Sequence, residues 1–160
     1  MSKRLSTRLW ISPVGTIAIG ADAGMLHFLR LLDPGETMTE QGSPVALLDE
    51  TIRQLEAWFD HRLRTFDLPL LPAATARGNA LRSGIVSVPY GEVASYGEVA
   101  RSIGSGPRAV GQACRRNPYT IVVPCHRIIG AGQTLGYYSA GEGLATKQWL
   151  LDHERNAPAT

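Results

Sequence analysis

A chain of 160 residues with 44% hydrophobic side chains is long enough to bury one core, and its two cysteines exclude a disulfide scaffold. No apolar run approaches the ~18 residues of a membrane span, and Met1-Ser2-Lys3-Arg4-Leu5 is not followed by the apolar core of a secretory signal. The net charge of +2 excludes little, but Arg101, Arg108, Arg115, Arg116 and Arg127 share one short region poor in acids, which is either a phosphate-binding face or an ordinary solvated one. Free thiols fit a reducing cytoplasm. The N-terminal part, begun by its own Met1, reads as that of a stand-alone protein.

Thr7–Trp10, Thr16–Ala21 and Met25–Leu32 read as short strands, with Ser12-Pro13-Val14-Gly15 and Asp22-Ala23-Gly24 as the turns of a small antiparallel sheet. Asp33-Pro34-Gly35 opens a loop. Ser43 is the expected N-cap of a helix with Pro44 in its first turn, and Leu48, Ile52, Leu55 and Phe59 form its inward face. Phe66 to Pro72 is broken by prolines and reads as extended. A linker near Pro72-Ala73-Ala74 separates this β-rich part from a C-terminal part. Thr75 to Val88 carries a weaker helical pattern, because Gly78 and Gly84 each cost about 1 kcal/mol against Ala in a helix.

Ser95 and Glu98 have capping-box spacing and open a short helix through Ile103. Gly104-Ser105-Gly106 turns the chain. Pro107 starts a second helix that Asn117-Pro118 ends. Two short helices around a glycine turn are the helix-turn-helix plan, with Val99, Ile103 and Val110 between them. Arg108, Ala109, Gly111, Ala113, Arg115 and Arg116 give the second helix small residues between arginines. That composition suits either close approach to nucleic acid or tight helix packing. Leu144 to Glu154 reads as a last helix, buried through Trp149, Leu150 and Leu151. Glu154 opposes the dipole at its C-terminal end, so it has either a cationic partner or a frayed end.

Pro124-Cys125-His126-Arg127 follows the apolar run Ile121-Val122-Val123, which reads as a buried strand ending at the cysteine. A thiol next to an imidazole is either a core cysteine or an activated nucleophile. Gln112-Ala113-Cys114-Arg115 nearly matches a caspase signature, with His61 roughly 50 residues upstream. Residue 116 is Arg rather than Gly, and Cys114 falls inside a helix, so the match is coincidental.

Together, Pro89-Tyr90-Gly91-Glu92, Ser95-Tyr96-Gly97, Arg108-Ala109-Val110-Gly111, Arg116-Asn117-Pro118, Pro124-Cys125-His126-Arg127, Gly136-Tyr137-Tyr138-Ser139 and Leu150-Leu151-Asp152-His153-Glu154 resemble the O6-alkylguanine-DNA alkyltransferases, or methylated-DNA–protein-cysteine methyltransferases. The resemblance is close from Pro89 to Glu154 and general before it. It implies an α+β fold. A β-rich, ribonuclease-H-like subdomain (1–73) would precede a helical subdomain (74–160) with a helix-turn-helix of winged-helix type.

The activity implied is irreversible, single-turnover transfer of an alkyl group from O6-alkylguanine in DNA to Cys125, with no cofactor. The partner implied is double-stranded DNA, bound through its minor groove by a monomer, with the damaged base flipped out of the stack. Cys125 would be the nucleophile. His126 would act through a water, Glu154 would orient His126, and Asn117 would brace the active-site turn. Tyr96 would help rotate the nucleotide and donate a proton. Arg108 would fill the gap in the stack, and Ala109, Gly111 and Arg115 would lie against DNA. Tyr138, Ser139 and the backbone near Val123 and Cys125 would read the base. The family's Phe-Gln pair and Trp before Pro89 are here Arg77-Gly78 and Arg82, which puts the local packing of the two parts in question. The zinc-binding residues of some members are absent, so no metal is assigned. The alternative is a non-reactive module that binds alkylated DNA, against which the presence of Cys125 argues. A Cys-His hydrolase is opposed by the helix-turn-helix.

Overall fold

A computed structural model describes residues 5–159, so Met1–Arg4 lie outside it. Strands β1 (Ser6–Ser12), β2 (Gly15–Ala21) and β3 (Leu26–Leu31) form an antiparallel sheet in the order β1-β2-β3. The middle strand is buried through Ile17, Ala18 and Ile19. Gly20 faces Phe28 across the β2–β3 ladder, where a Cβ would collide with the ring. Glycine is therefore needed there for close approach rather than for flexibility.

Helix α1 (Ala46–Phe59) covers the sheet, but it starts later than the sequence indicates. Val45 is its N-cap and offers no side-chain cap, whereas the Ser43 carbonyl accepts a hydrogen bond from Ser6 Oγ at 2.6 Å. Anchoring to β1 thus outweighs capping. The buried stripe is also rotated: Leu48, Thr51, Gln54, Leu55 and Trp58 are buried, while Ile52 and Phe59 are only half-buried. Gln54 is inside because its amide pairs with the Asp67 backbone in both directions, Nε2 to O and N to Oε1, each at 2.9 Å. A buried amide satisfied in this way carries little penalty, and no apolar pattern reveals it.

The extended segment after α1 touches β3 through a Leu26–Leu70 bridge. Helix α2 (Ala76–Val86) follows, capped by Thr75 Oγ1, which accepts from Gly78 N at 2.9 Å. Gly84 is not a defect in it. A Cβ there would lie 3.0 Å from Ile103, so glycine permits close packing of α2 on the next helix. Helix α3 (Tyr96–Ser102) has Ser95 as its N-cap, accepting from Glu98 N at 3.0 Å, and α4 (Pro107–Arg115) has Pro107 in its first turn. A short parallel pair, β4 (Ala94–Ser95) with β5 (Ile128–Ile129), and helix α5 (Leu144–Arg155) complete the fold. Leu150 and Leu151 bury α5, but Trp149 stays 37% exposed and stacks on His153. No helix among the described residues is long and apolar enough to cross a membrane.

One tyrosine ties the two halves together. Tyr119 is 1% exposed, its hydroxyl donates to Leu26 O at 2.6 Å and accepts from Leu71 N at 2.9 Å. Its neighbours extend the β3 edge, with Leu29 N to Pro118 O at 2.9 Å and Thr120 N to Leu29 O at 2.8 Å. The segment leading to Cys125 therefore starts from the rigid sheet.

Candidate active site

Ile121-Val122-Val123 does not form the expected strand. Val122 N bonds Thr120 O at 2.8 Å around Ile121, whose φ is +73°. This is a γ-turn of the strained sense, unfavourable for a β-branched residue. Cys125 N bonds Val123 O at 2.8 Å around Pro124 (φ −82°, ψ 63°), an inverse γ-turn. The apolar run therefore turns twice rather than pairing in a ladder. Its backbone is satisfied by turns and by Asn117 instead.

Asn117 Nδ2 donates to Tyr119 O at 3.1 Å and Val123 O at 3.0 Å, and lies 3.4 Å from Cys125 Sγ, while its Oδ1 accepts from Tyr119 N at 2.9 Å. Asn117 thus holds both ends of the strained turn and touches the sulfur. Strain kept in place by surrounding bonds is common at functional sites.

Cys125 begins a 3₁₀ turn, Cys125–Arg127, rather than ending a strand. The next two side chains run inward to α5. His126 Nε2 donates to Glu154 Oε2 at 2.7 Å, with both side chains almost fully buried. Arg127 grips the same carboxylate, Nε at 3.0 Å and 3.1 Å and Nη2 at 2.8 Å, and its Nη1 donates to Val88 O at 2.8 Å. Gly91 N donates to Glu154 Oε1 at 3.1 Å. Burial by itself would raise the Glu154 carboxyl, but the bonds and charges of His126 and Arg127 overcome it and hold the group at about 2. Burial pushes the His126 imidazole down despite the carboxylate, so it is neutral near pH 7. With Nε2–H given to Glu154, the assigned tautomer leaves Nδ1 as a bare acceptor, buried and without a partner among the described residues.

The other cysteine is close by. Cys114, on α4, lines the same small pocket as Cys125, with Asn117, Tyr137, Tyr138 and Ser139. Hydrogen bonding to Cys114, together with burial, raises the Cys125 thiol, while the same bond lowers Cys114. Cys125 therefore rests as a protonated thiol, not as a preformed thiolate. Lys147 is fully buried, its Nζ donating to Ile128 O at 2.5 Å and Tyr137 O at 3.2 Å. Its charge favours thiolate at both cysteines.

Tyr96 stands at the edge of this group. Its ring packs against Gly136, where a Cβ would be 3.2 Å away, and faces Gly111. Burial and then the charge at Cys114 raise its phenol, so it keeps its proton. Burial also raises Tyr138. Arg115 lies 4.8 Å over the Tyr137 ring. Val123 lies apart. It lines the groove on the other side of the loop, and its carbonyl already accepts from Asn117 and Cys125. Arg108 and Ala109 line that same groove at the α4 N-terminal end.

Comparison with known proteins decides the relationship. Residues 79–156 match the family model for the 6-O-methylguanine DNA methyltransferase DNA-binding domain. A methylated-DNA–protein-cysteine methyltransferase of Methanosarcina acetivorans is 39% identical over 89% of this chain and 94% of its own. One from Mycobacterium leprae is 37% identical over 93% and 92%. The chain belongs to this methyltransferase family. Its fold is that of solved members. The Mycobacterium tuberculosis O6-methylguanine methyltransferase superposes with a TM-score of 0.84 at 32% identity, covering 98% of this chain and 96% of that one. The M. tuberculosis protein solved in complex with DNA gives 0.81 at 34%, covering 94% and 93%. Like these, the chain has a two-part α+β arrangement.

Arg82 lies 5.3 Å over the Tyr119 ring and donates to Leu71 O at 2.8 Å, so a cation with an apolar stem contributes to the contact between the halves. Sequence reasoning missed Cys114, Lys147, Tyr119 and the double use of Glu154. Only for Glu154 was there a signal, an acid at a helix C-terminus in need of a cation.

Proposed function

We propose that this protein repairs DNA by taking the alkyl group of O6-alkylguanine onto Cys125. The observation that carries the assignment is Cys125 in a pocket lined by Tyr137, Tyr138 and Ser139, followed directly in sequence by a His126 imidazole bonded to Glu154. Glu154 fixes the imidazole so that Nδ1 accepts the thiol proton through a water. The Sγ lone pair attacks the alkyl carbon, the carbon–O6 bond breaks, and its electron pair stays with guanine. Tyr96, still protonated, donates to the departing base. The product is a thioether with no acyl carbon for water to attack, so each molecule reacts once.

The base reaches Cys125 only when flipped, with Arg108 filling the gap it leaves. Ala109, Gly111 and Arg115 lie against the minor groove, and the chain acts as a monomer. The pocket encloses about 40 Å³, of the order of one water's share of liquid, so base entry displaces the Tyr137–Ala140 segment. Tyr138 and Ser139 then read the base.

Mass spectrometry after mixing with duplex containing O6-methylguanine tests this. A stable methyl adduct on Cys125, at one per protein, is the expected result. Binding without an adduct, or an adduct on Cys114, would overturn the assignment.

A further inference from the structure

Helix α4 has two flanks. Cys114 faces the Cys125 pocket, and Gly111 faces Tyr96 on the same side. Ala109, Gln112 and Arg116 instead line a groove of about 890 Å³ between α4 and α2, with Arg77, Arg82 and Arg108 around it. The groove lining includes no acid. Neither wall has one to supply, because the sequence has no Asp or Glu between Asp67 and Glu92, nor between Glu98 and Glu142.

Arg77 sits in the first turn of α2, which holds no acid. A cation there opposes the helix dipole. It is exposed, and its Nη2 donates to Ser105 Oγ at 3.2 Å, leaving other guanidinium donors to point outward. An anion in the groove would offset the unfavourable placement.

We propose that this groove carries the backbone of the DNA strand opposite the alkylated one, with Arg77 contacting a phosphate. The proposal rests on the alkyl-transfer reading above. A helix lying in a minor groove has one strand's backbone along each flank. The strand that surrenders its base to Cys125 passes on the Cys114 flank, so the complementary strand passes on the α2 flank. The groove is continuous with the DNA-facing residues Arg108 and Ala109. Exposed apolar wall residues such as Leu71 and Pro72 suit deoxyribose, and the guanidinium rim suits phosphates. Arg82 is held by Tyr119 and Leu71 and shapes the wall, whereas Arg77 keeps donors beyond its single bond to Ser105 for a phosphate on the α2 side.

The test is equilibrium binding to an O6-methylguanine duplex across a salt series. Protein carrying Cys125→Ser keeps the duplex from being consumed. Adding Arg77→Ala should lower the slope of log K against log salt by about 0.9, the release expected for one phosphate contact, and Arg77→Lys should restore it. Neutral methylphosphonate linkages in the complementary strand should erase the difference between the protein that retains Arg77 and the Arg77→Ala variant. The same linkages in the alkylated strand should leave it intact. Equal slopes with and without Arg77, in proteins of equal melting temperature, would overturn the proposal. So would a difference erased by changes in the alkylated strand. The reading beneath it fails separately, if the unmodified protein forms no Cys125 adduct with the same duplex.

Discussion

The two sides of Cys125 are built on opposite principles. Behind it, His126, Arg127 and Glu154 form a charged cluster in which every carboxylate oxygen is hydrogen-bonded and the geometry is relaxed. In front of it, the Tyr119–Pro124 turn is neutral, with a β-branched residue at positive φ held by one asparagine. The charged side fixes a proton acceptor in one tautomer. The strained side fixes the position of the sulfur. A buried charge cluster is costly to break because a lone charge remains, whereas a strained turn is costly because the Tyr119 amide loses its acceptor and two carbonyls each lose one of two donors.

Removing the sulfur gives the largest effect. Cys125→Ser should abolish alkyl transfer, measured by mass spectrometry, while binding to duplex is retained, because the phosphate contacts come from other elements. Neither side of the site can compensate for the loss of the nucleophile.

Glu154→Gln attacks the charged side. It leaves Arg127 buried without a counter-charge, and a broken buried pair costs about 3 kcal/mol. For a chain of this size the melting temperature should fall by about 10 °C. Transfer should slow as well, because the imidazole is no longer held against a carboxylate. A melting temperature within a degree or two of the native protein would show that the cluster is not a structural clamp.

Asn117→Ala attacks the strained side. It should cost about 2 kcal/mol, since Tyr119 N loses its acceptor and the Tyr119 and Val123 carbonyls each keep only a backbone donor. The slowing of transfer should exceed what unfolding explains, because the sulfur loses its placement. Asn117→Asp should fail similarly, as a carboxylate cannot donate to carbonyls.

Acid should separate the two sides. Folding depresses the His126 pKa, and that of His153, through burial, so the unfolded chain takes up protons first as pH falls below about 6.5. Stability is therefore full above that value and declines below it. Glu154, held at about 2 against 4.5 when unfolded, contributes stability above pH 4.5 that is lost as pH falls toward 2. Melting temperature should hold level from pH 8 to 7, decline below about 6.5 and steepen below 4.5. Glu154→Gln should flatten the lower limb, while Asn117→Ala should leave both limbs in place.

Cys114→Ala gives the smallest change, and it acts on the sulfur that the two sides share. Cys114 raises the Cys125 thiol through their contact, so its removal should move the pH dependence of the transfer rate to lower pH. Activity should be retained, with the adduct still on Cys125. An unshifted profile would mean that Cys114 does not set the Cys125 proton affinity.

The pieces governed by local rules are legible along the chain. Two hairpins follow from alternation and turn residues, and the α3–α4 unit from Ser95, Glu98, Pro107 and Asn117-Pro118. The Pro-Cys-His-Arg stretch stands out, and Glu154 is marked as an acid unfavourably placed at a helix end, although the chain alone does not choose between a cationic partner and a frayed end. These signals act within a few residues, through dihedral preference, capping and dipole, and so they survive in one dimension. The rest depends on packing. Ile121-Val122-Val123 has strand composition, but it turns because Asn117 and the β3 edge satisfy its backbone at positions no pattern relates. Gln54 and Lys147 are polar and read as surface, yet both are buried because backbone groups elsewhere complete their hydrogen bonds. Cys114 looks like a chance match inside a helix. Only the placement of α4 beside the Cys125 turn makes it a neighbour that tunes the thiol, because proton affinity in a buried site depends on what lies within a few ångströms, whatever its distance along the chain.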